Sequence, residues 1–280
     1  MTLKEKLEVQ RKKTYEFLVN PKVVRLCIKG ALIIFVPSLI IGAIIASLLD
    51  PAGIWMASAI WNQVGMTELP VDQAGYSIFT DYISNLGSLN YSPIPFFLDD
   101  AALITSLLLI PVSFYLKKRF CTIYDQQETP GKLGKNLSNL ALIFMILGMI
   151  GFFGIGFFSE DVADSLEYAT GGLAMVGILD LHEFFSMVVF LNLIIAGIFL
   201  GVIGLKYASM IPKVFDLNVS KTIIIIVAIE MIIFPFPMMV ATVITQWPFF
   251  EWMMLFAVFG WIIPLGVAFL KQINKELGLK

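Results

Sequence analysis

The chain is short of the side chains that most enzymes use at neutral pH. It has one histidine and two cysteines in 280 residues. That leaves too few soft ligands for an ordinary structural zinc site, and no spacing among its acids demands a hard cation. No metal and no cofactor is expected. Cys27 and Cys121 each border the basic end of an apolar run, so neither reads as part of an extracytoplasmic disulfide framework. Two reduced thiols are the simpler expectation, and juxtamembrane acylation is the other.

Charge is scarce too, at 14% of residues, against about 25% in a soluble domain. Positive charge is missing from long stretches: segments 30–116, 136–205 and 222–270 hold no Lys or Arg. Basic residues gather only at the borders of apolar runs, as membrane orientation requires, and this argues against nucleic-acid binding.

What the chain has instead is apolar surface. Hydrophobic residues make up 58% of it, and the mean hydropathy is +0.86. One soluble core of this size cannot hide so much, so lipid must solvate much of it. Six runs are long enough to cross about 30 Å of hydrocarbon at about 1.5 Å per residue. They cover approximately 24–49, 96–116, 140–158, 182–205, 222–243 and 249–270. The expected fold is therefore all-α: a polytopic membrane bundle of six helices forming one domain over 24–270, between a cytoplasmic segment 1–23 and a tail 271–280.

All 19 Lys and Arg lie in the N-terminal segment through Lys29, the 117–135 and 206–221 loops, or the tail from Lys271. Positive residues resist translocation, and these segments alternate with no violation. This predicts a multi-pass protein of the cell membrane with both termini cytoplasmic. The first 23 residues are charged and the first apolar run is too long for a signal h-region, so no cleaved signal peptide is expected. Thr2-Leu3-Lys4-Glu5 has capping-box spacing, and Pro21 reads as a stop. The helix between them either lies on the inner membrane surface or is a solvated lead-in. Trp55 and Trp61, among apolar neighbours, suggest an outer interfacial helix near 54–66, or one packed on the bundle.

The outer segments are acidic. Glu160, Asp161, Asp164 and Glu167 are explained by the solubility of an exposed loop. The candidate chemistry lies at outer helix ends. His182 stands between Asp180 and Glu183, which have N-cap and N3 spacing; capping accounts for the acids and leaves the imidazole unexplained. Asp99 and Asp100 sit at another helix start, Glu251-Trp252 at a third, and Asp81 and Ser84-Asn85 in the loop between. Glu230 is the only ionisable residue well inside a span. A charge at that depth costs roughly 2.5–3.5 kcal/mol on insertion scales. With Pro235 and Pro237 following, it marks either a polar cavity or a Glu hydrogen-bonded to a neighbour such as Asn192 or Ser186. Gly197 and Gly201 form GxxxG, and Gly148, Gly151 and Gly154 line the third span, as helices packing inside one bundle would need.

Three of these places together resemble the damage-regulated autophagy modulator family and its uncharacterised prokaryotic six-span relatives. Ser84-Asn85-Leu86-Gly87 with Pro93, Pro95 and Phe97 is similar to that family's outer-loop Ser-Asp-x-Gly motif and its prolines. His182-Glu183 with Phe190 is similar to the His-Asp opening of the fourth span, and Glu251-Trp252 with Phe256 to the Glu-Trp start of the last. Asn85 and Glu183 depart from the acids usual there. The resemblance implies six spans and involvement with lipids: autophagy, lipid asymmetry and remodelling of lipid anchors.

Three functions follow as expectations. The first is a protein that binds, organises or helps remodel membrane lipids through Asp81, Ser84, Asn85, Asp99, Asp100, His182, Glu183, Glu251 and Trp252. The second is a metal-independent intramembrane lipid hydrolase with His182 as base, Ser84 as nucleophile and Asp100 as orienting carboxylate. The third is a proton-coupled transporter using Glu230. Membrane lipids are the expected partners, and a homo-oligomer is left open.

Overall fold

A computed structural model describes residues 2–48, 76–88, 91–92, 94–125, 132–172, 175, 180–215 and 219–279. The helix expected near 54–66 and Pro93 lie outside these residues. Among these residues ten α-helices follow in order: α1 Leu3–Leu18, α2 Pro21–Leu48, α3 Phe96–Asp125, α4 Lys132–Phe157, α5 Glu160–Thr170, α6 Leu181–Lys206, α7 Ile211–Val214, α8 Lys221–Ile233, α9 Pro235–Thr245 and α10 Pro248–Glu276. A 3-10 turn covers Ser84–Gly87, and no strand occurs among the described residues. Six segments are long and apolar enough to cross a membrane: α2, α3, α4, α6, α8 with α9, and α10.

The N-terminal helix forms as its spacing predicts. The Thr2 hydroxyl accepts from the Glu5 amide, and the Glu5 carboxylate accepts from the Thr2 amide. Nothing on α1 is buried, although Tyr15 meets Phe114 of α3 edge to face. Pro21, expected as a stop, is also the first residue of α2, where its missing N–H costs nothing. Asn20 caps that start by accepting from the Lys22 amide.

Helix ends depart from the apolar windows where a helix continues as an amphipathic stem. Lys117, Lys118 and Arg119 end the second apolar run at 116, yet α3 continues to Asp125. Phe120, Ile123 and Tyr124 recur at helical spacing beyond the charges and are buried. α10 likewise runs past 270 to Glu276, where Arg119 and Glu276 form an ion pair. The Arg25 guanidinium donates to Asn274 at 2.6 Å. α2, α3 and α10 are thus tied together at the basic end of the bundle.

Small residues decide the closest packing. A Cβ on Gly151 would lie 2.5 Å from the Val189 amide nitrogen, and one on Gly148 2.8 Å from the Leu193 side chain. α4 and α6 therefore touch backbone to backbone. On the other face of α6, Gly201 meets Ile232 and Ala228 of α8, and Gly197 faces the Trp261 ring of α10. The GxxxG pair is used inside this one chain. The fifth span is interrupted at Phe234, whose amide still donates to the Glu230 carbonyl, because Pro235 and Pro237 have no amide to continue the ladder.

Candidate functional site

The helices line a long, partly open cavity of about 170 Å³. Its walls come from α2, α3, α4, α6 and α10, and they are apolar over most of their length: Leu109, Val112, Met145, Met149, Val258 and Phe269 are representative. On α3 the lining runs from Leu98 to Leu116, about 27 Å of helix axis at about 1.5 Å per residue. At one end the character changes. Ser84, Asp99, His182, Ser186 and Glu251 line that end, which is also the acidic end of the bundle.

Each polar group has a structural reason to be there. Asp180 accepts from the Glu183 amide at 2.7 Å and starts α6, so His182 falls in its first turn. His182 is 5% exposed. Its Nδ1 lies 2.8 Å from the Phe158 carbonyl oxygen just past α4. A carbonyl only accepts, so Nδ1 carries a proton, and in the neutral ring Nε2 is left as an acceptor. That Nε2 is buried with no hydrogen-bond partner among the described residues.

Glu251, in the first turn of α10, is buried and accepts from the Ile83 amide at 2.7 Å. Its neighbour Trp252 donates through Nε1 to the Asp81 carbonyl oxygen at 3.2 Å. The Asp81 carboxylate accepts from the Ser77 amide and the Thr80 hydroxyl. Asp81 and Trp252 thus shape the loop 76–88, and neither lines the cavity. That loop straps across the cavity's polar end. Its other fastenings are Tyr82 donating to the Gln246 carbonyl, Ser88 donating to Asp161, and the Phe79 carbonyl accepting from Trp247. Gly87 closes the 3-10 turn against Asp99: a Cβ there would run into the Asp99 carboxylate.

Not every expected residue reaches the cavity. Asp100 is exposed, about 100° round α3 from Asp99, and Glu183 is exposed in the first turn of α6. Asn85 is buried in the 3-10 turn without lining the cavity. Ser84 does line it, and no hydrogen bond joins Ser84 to His182 among the described residues. Glu230 lies elsewhere, facing Gly260 of α10. Its Oε2 is buried without a partner, while Asn192 donates to the Val188 carbonyl instead of to Glu230. The hydrogen-bonded alternative expected for Glu230 is therefore not what the side chain adopts.

Two participants were not foreseen. Thr105, a turn and a half below Asp99, lines the cavity with a buried hydroxyl that has no partner. Glu160, at the start of α5, also has a buried, unpartnered carboxylate oxygen. Burial, and then the charges of Asp164, Asp161, Asp180 and Glu251, push the Glu160 carboxyl up to about 8. Asp164 is pushed up to about 6, by burial and then by Asp180, Asp161, Glu167 and Glu183. Glu160 lies near enough to Asp99 and Glu251 for their charges to act on one another. Among the described residues, no three His, Cys, Asp or Glu side chains converge as metal ligands do.

Set against family profiles, curated proteins and solved structures, the chain matches none.

Proposed function

We propose that this chain is a multi-pass membrane protein that binds lipid, holding an aliphatic chain in the cavity and the lipid's polar end among Ser84, Asp99, His182 and Glu251. The observation that carries this reading is the cavity itself: an apolar channel of near-membrane length that ends in a buried polar cluster. Aqueous solutes gain nothing from such walls, whereas an alkyl chain gains burial along all of them. The polar cluster then fixes the register of the lipid.

The charge pattern supports a cytoplasmic basic end, both termini cytoplasmic, and a lipid site in the outer half of a cell membrane. The resemblance to six-span lipid-linked proteins points the same way. The three segments that carry it, around Ser84, His182 and Glu251, lie together at one end of the cavity. Binding is the reading the geometry favours over hydrolysis, since no hydroxyl is hydrogen-bonded to His182 Nε2 among the described residues, and over proton transport, since Glu230 does not line the channel.

The test is to purify the full chain in a neutral detergent and identify the lipid that stays with it by mass spectrometry. Ala102→Phe would fill the channel just below the polar cluster, because Ala102 lines it and is buried. We expect the lipid to be lost from a variant that still elutes as folded protein. Equal lipid content in both proteins would end the reading.

A further inference from the structure

The polar end of the cavity has a chemical bias that selects among lipids. We infer that it takes a single-chain lipid whose head is a protonated amine, a long-chain amine or amino alcohol, and that it rejects the corresponding fatty acid. This rests on the lipid-binding reading above and adds the identity of the head.

Three independent observations carry it. The first is the hydrogen-bond sense of the groups that line the mouth. Asp99 and Glu251 are carboxyl groups, and neutral His182 offers a bare Nε2 because Nδ1–H is committed to the Phe158 carbonyl. The site is rich in acceptors, so its natural complement is a donor. An ammonium head brings three N–H donors and no acceptor.

The second is the vacancy in that pattern. His182 is 5% exposed and its Nε2 has no partner among the described residues, although a buried imidazole nitrogen is normally satisfied. An acceptor left bare at the polar end of the cavity is what a missing donor leaves behind.

The third is charge. Asp99 lies within electrostatic reach of Asp161, Asp100 and Glu160, and Glu160 within reach of Glu251. No Lys or Arg exists anywhere in 30–116, 136–205 or 222–270 to neutralise them. A carboxylate or phosphate head would bring a full negative charge to a place where burial and crowding already disfavour ionised carboxyls, and its own desolvation would go uncompensated. A cation relieves both problems. The small volume of the cavity, about 170 Å³, suits one alkyl chain better than two.

The experiment uses the full chain in neutral detergent at neutral pH, titrated separately with hexadecylamine, hexadecanol and hexadecanoate. These share one chain and differ in the head. Retention is read by native mass spectrometry and affinity by competition against the amine. We expect the amine to bind at least about tenfold more tightly than the carboxylate, with the alcohol between them. Asp99→Asn should weaken the amine by about tenfold and leave the alcohol nearly unchanged. Glu167→Gln removes one charge from the same face without touching the cavity, and should leave the ranking as it is.

Carboxylate binding equal to or tighter than amine binding would overturn the inference. So would an equal loss of amine affinity in Glu167→Gln, which would mean general attraction to an acidic surface. If Asp99→Asn does not fold, the ranking in the unmodified protein still decides. Failure of all three amphiphiles to bind would remove the lipid reading beneath, whereas binding without amine preference would remove only the head-group assignment.

Discussion

The backbone amide of Ile83 donates to the carboxylate of Glu251 at 2.7 Å, joining the loop 76–88 to the start of the last helix. Both residues are buried, so the bond is shielded from water and its loss leaves a stranded donor. Glu251→Ala should destabilise the protein by about 1–3 kcal/mol, the cost of an unsatisfied buried group. Glu251→Gln keeps an acceptor and should recover most of that. Thermal unfolding in neutral detergent checks both. If the Ala variant unfolds where the parent does, the strap is not held by this bond.

Burial and crowding around α5 make stability depend on pH. The folded state raises Glu160 from 4.5 to about 8 and Asp164 from 3.8 to about 6. Raised carboxyls hold protons that the unfolded chain has already released. Their contribution to stability is therefore complete at low pH and is lost as pH rises: across about 3.8 to 6 for Asp164, and across 4.5 to about 8 for Glu160. The unfolding temperature should fall between pH 5 and pH 8 and then level off with respect to these two groups. Glu160→Gln should flatten the upper part of that slope. An unfolding temperature that climbs over the same interval would contradict the assignment.

Helix contact through glycine separates two positions that look alike in sequence. Gly151 and Gly42 both lie inside apolar helices, but a Cβ on Gly151 strikes the Val189 backbone, while one on Gly42 meets nothing within 4 Å. Gly151→Ala should cost about 1–3 kcal/mol, because backbone cannot move aside as a flexible side chain can. Gly42→Ala should be neutral, or stabilising by up to about 1 kcal/mol through helix propensity. Comparing the unfolding temperatures of the two variants is sufficient. Equal effects would mean that α4 and α6 are not in backbone contact.

The six spans were legible because hydropathy and length need no tertiary information. Asp180 was legible as a cap for the same reason, its signal being local. The cavity was not, since it exists only where five helices leave a gap, and no single helix records that. Asp99 and Asp100 show the limit plainly. Adjacent acids at a helix start look equivalent, yet about 100° of helical rotation sends one into the bundle and the other to the outside. The polar end was half visible: His182, Glu251 and Ser84 could be grouped by membrane level, but Thr105 and Glu160 could not. A threonine within an apolar run is ordinary, and a Glu among four acids reads as surface. The long stem of α3 was hidden by its own charges, which ended the apolar window without ending the helix.

The last prediction concerns which end of the bundle meets the cytoplasm. The basic end holds Arg25, Arg119, Lys206 and Lys271, and the acidic end holds Asp99, Glu160, His182 and Glu251. Lys and Arg resist translocation and acids scarcely influence it, so the basic end should stay inside. In a background carrying Cys27→Ser and Cys121→Ser, Lys213→Cys and Ala169→Cys place exposed thiols at opposite ends. A membrane-impermeant maleimide added to intact cells should label Ala169→Cys and spare Lys213→Cys, and permeabilised cells should label both. The reverse pattern would turn the bundle over. The mouth of the cavity would then open on the cytoplasmic leaflet, and the lipids offered to Asp99 and His182 would be those of the inner surface.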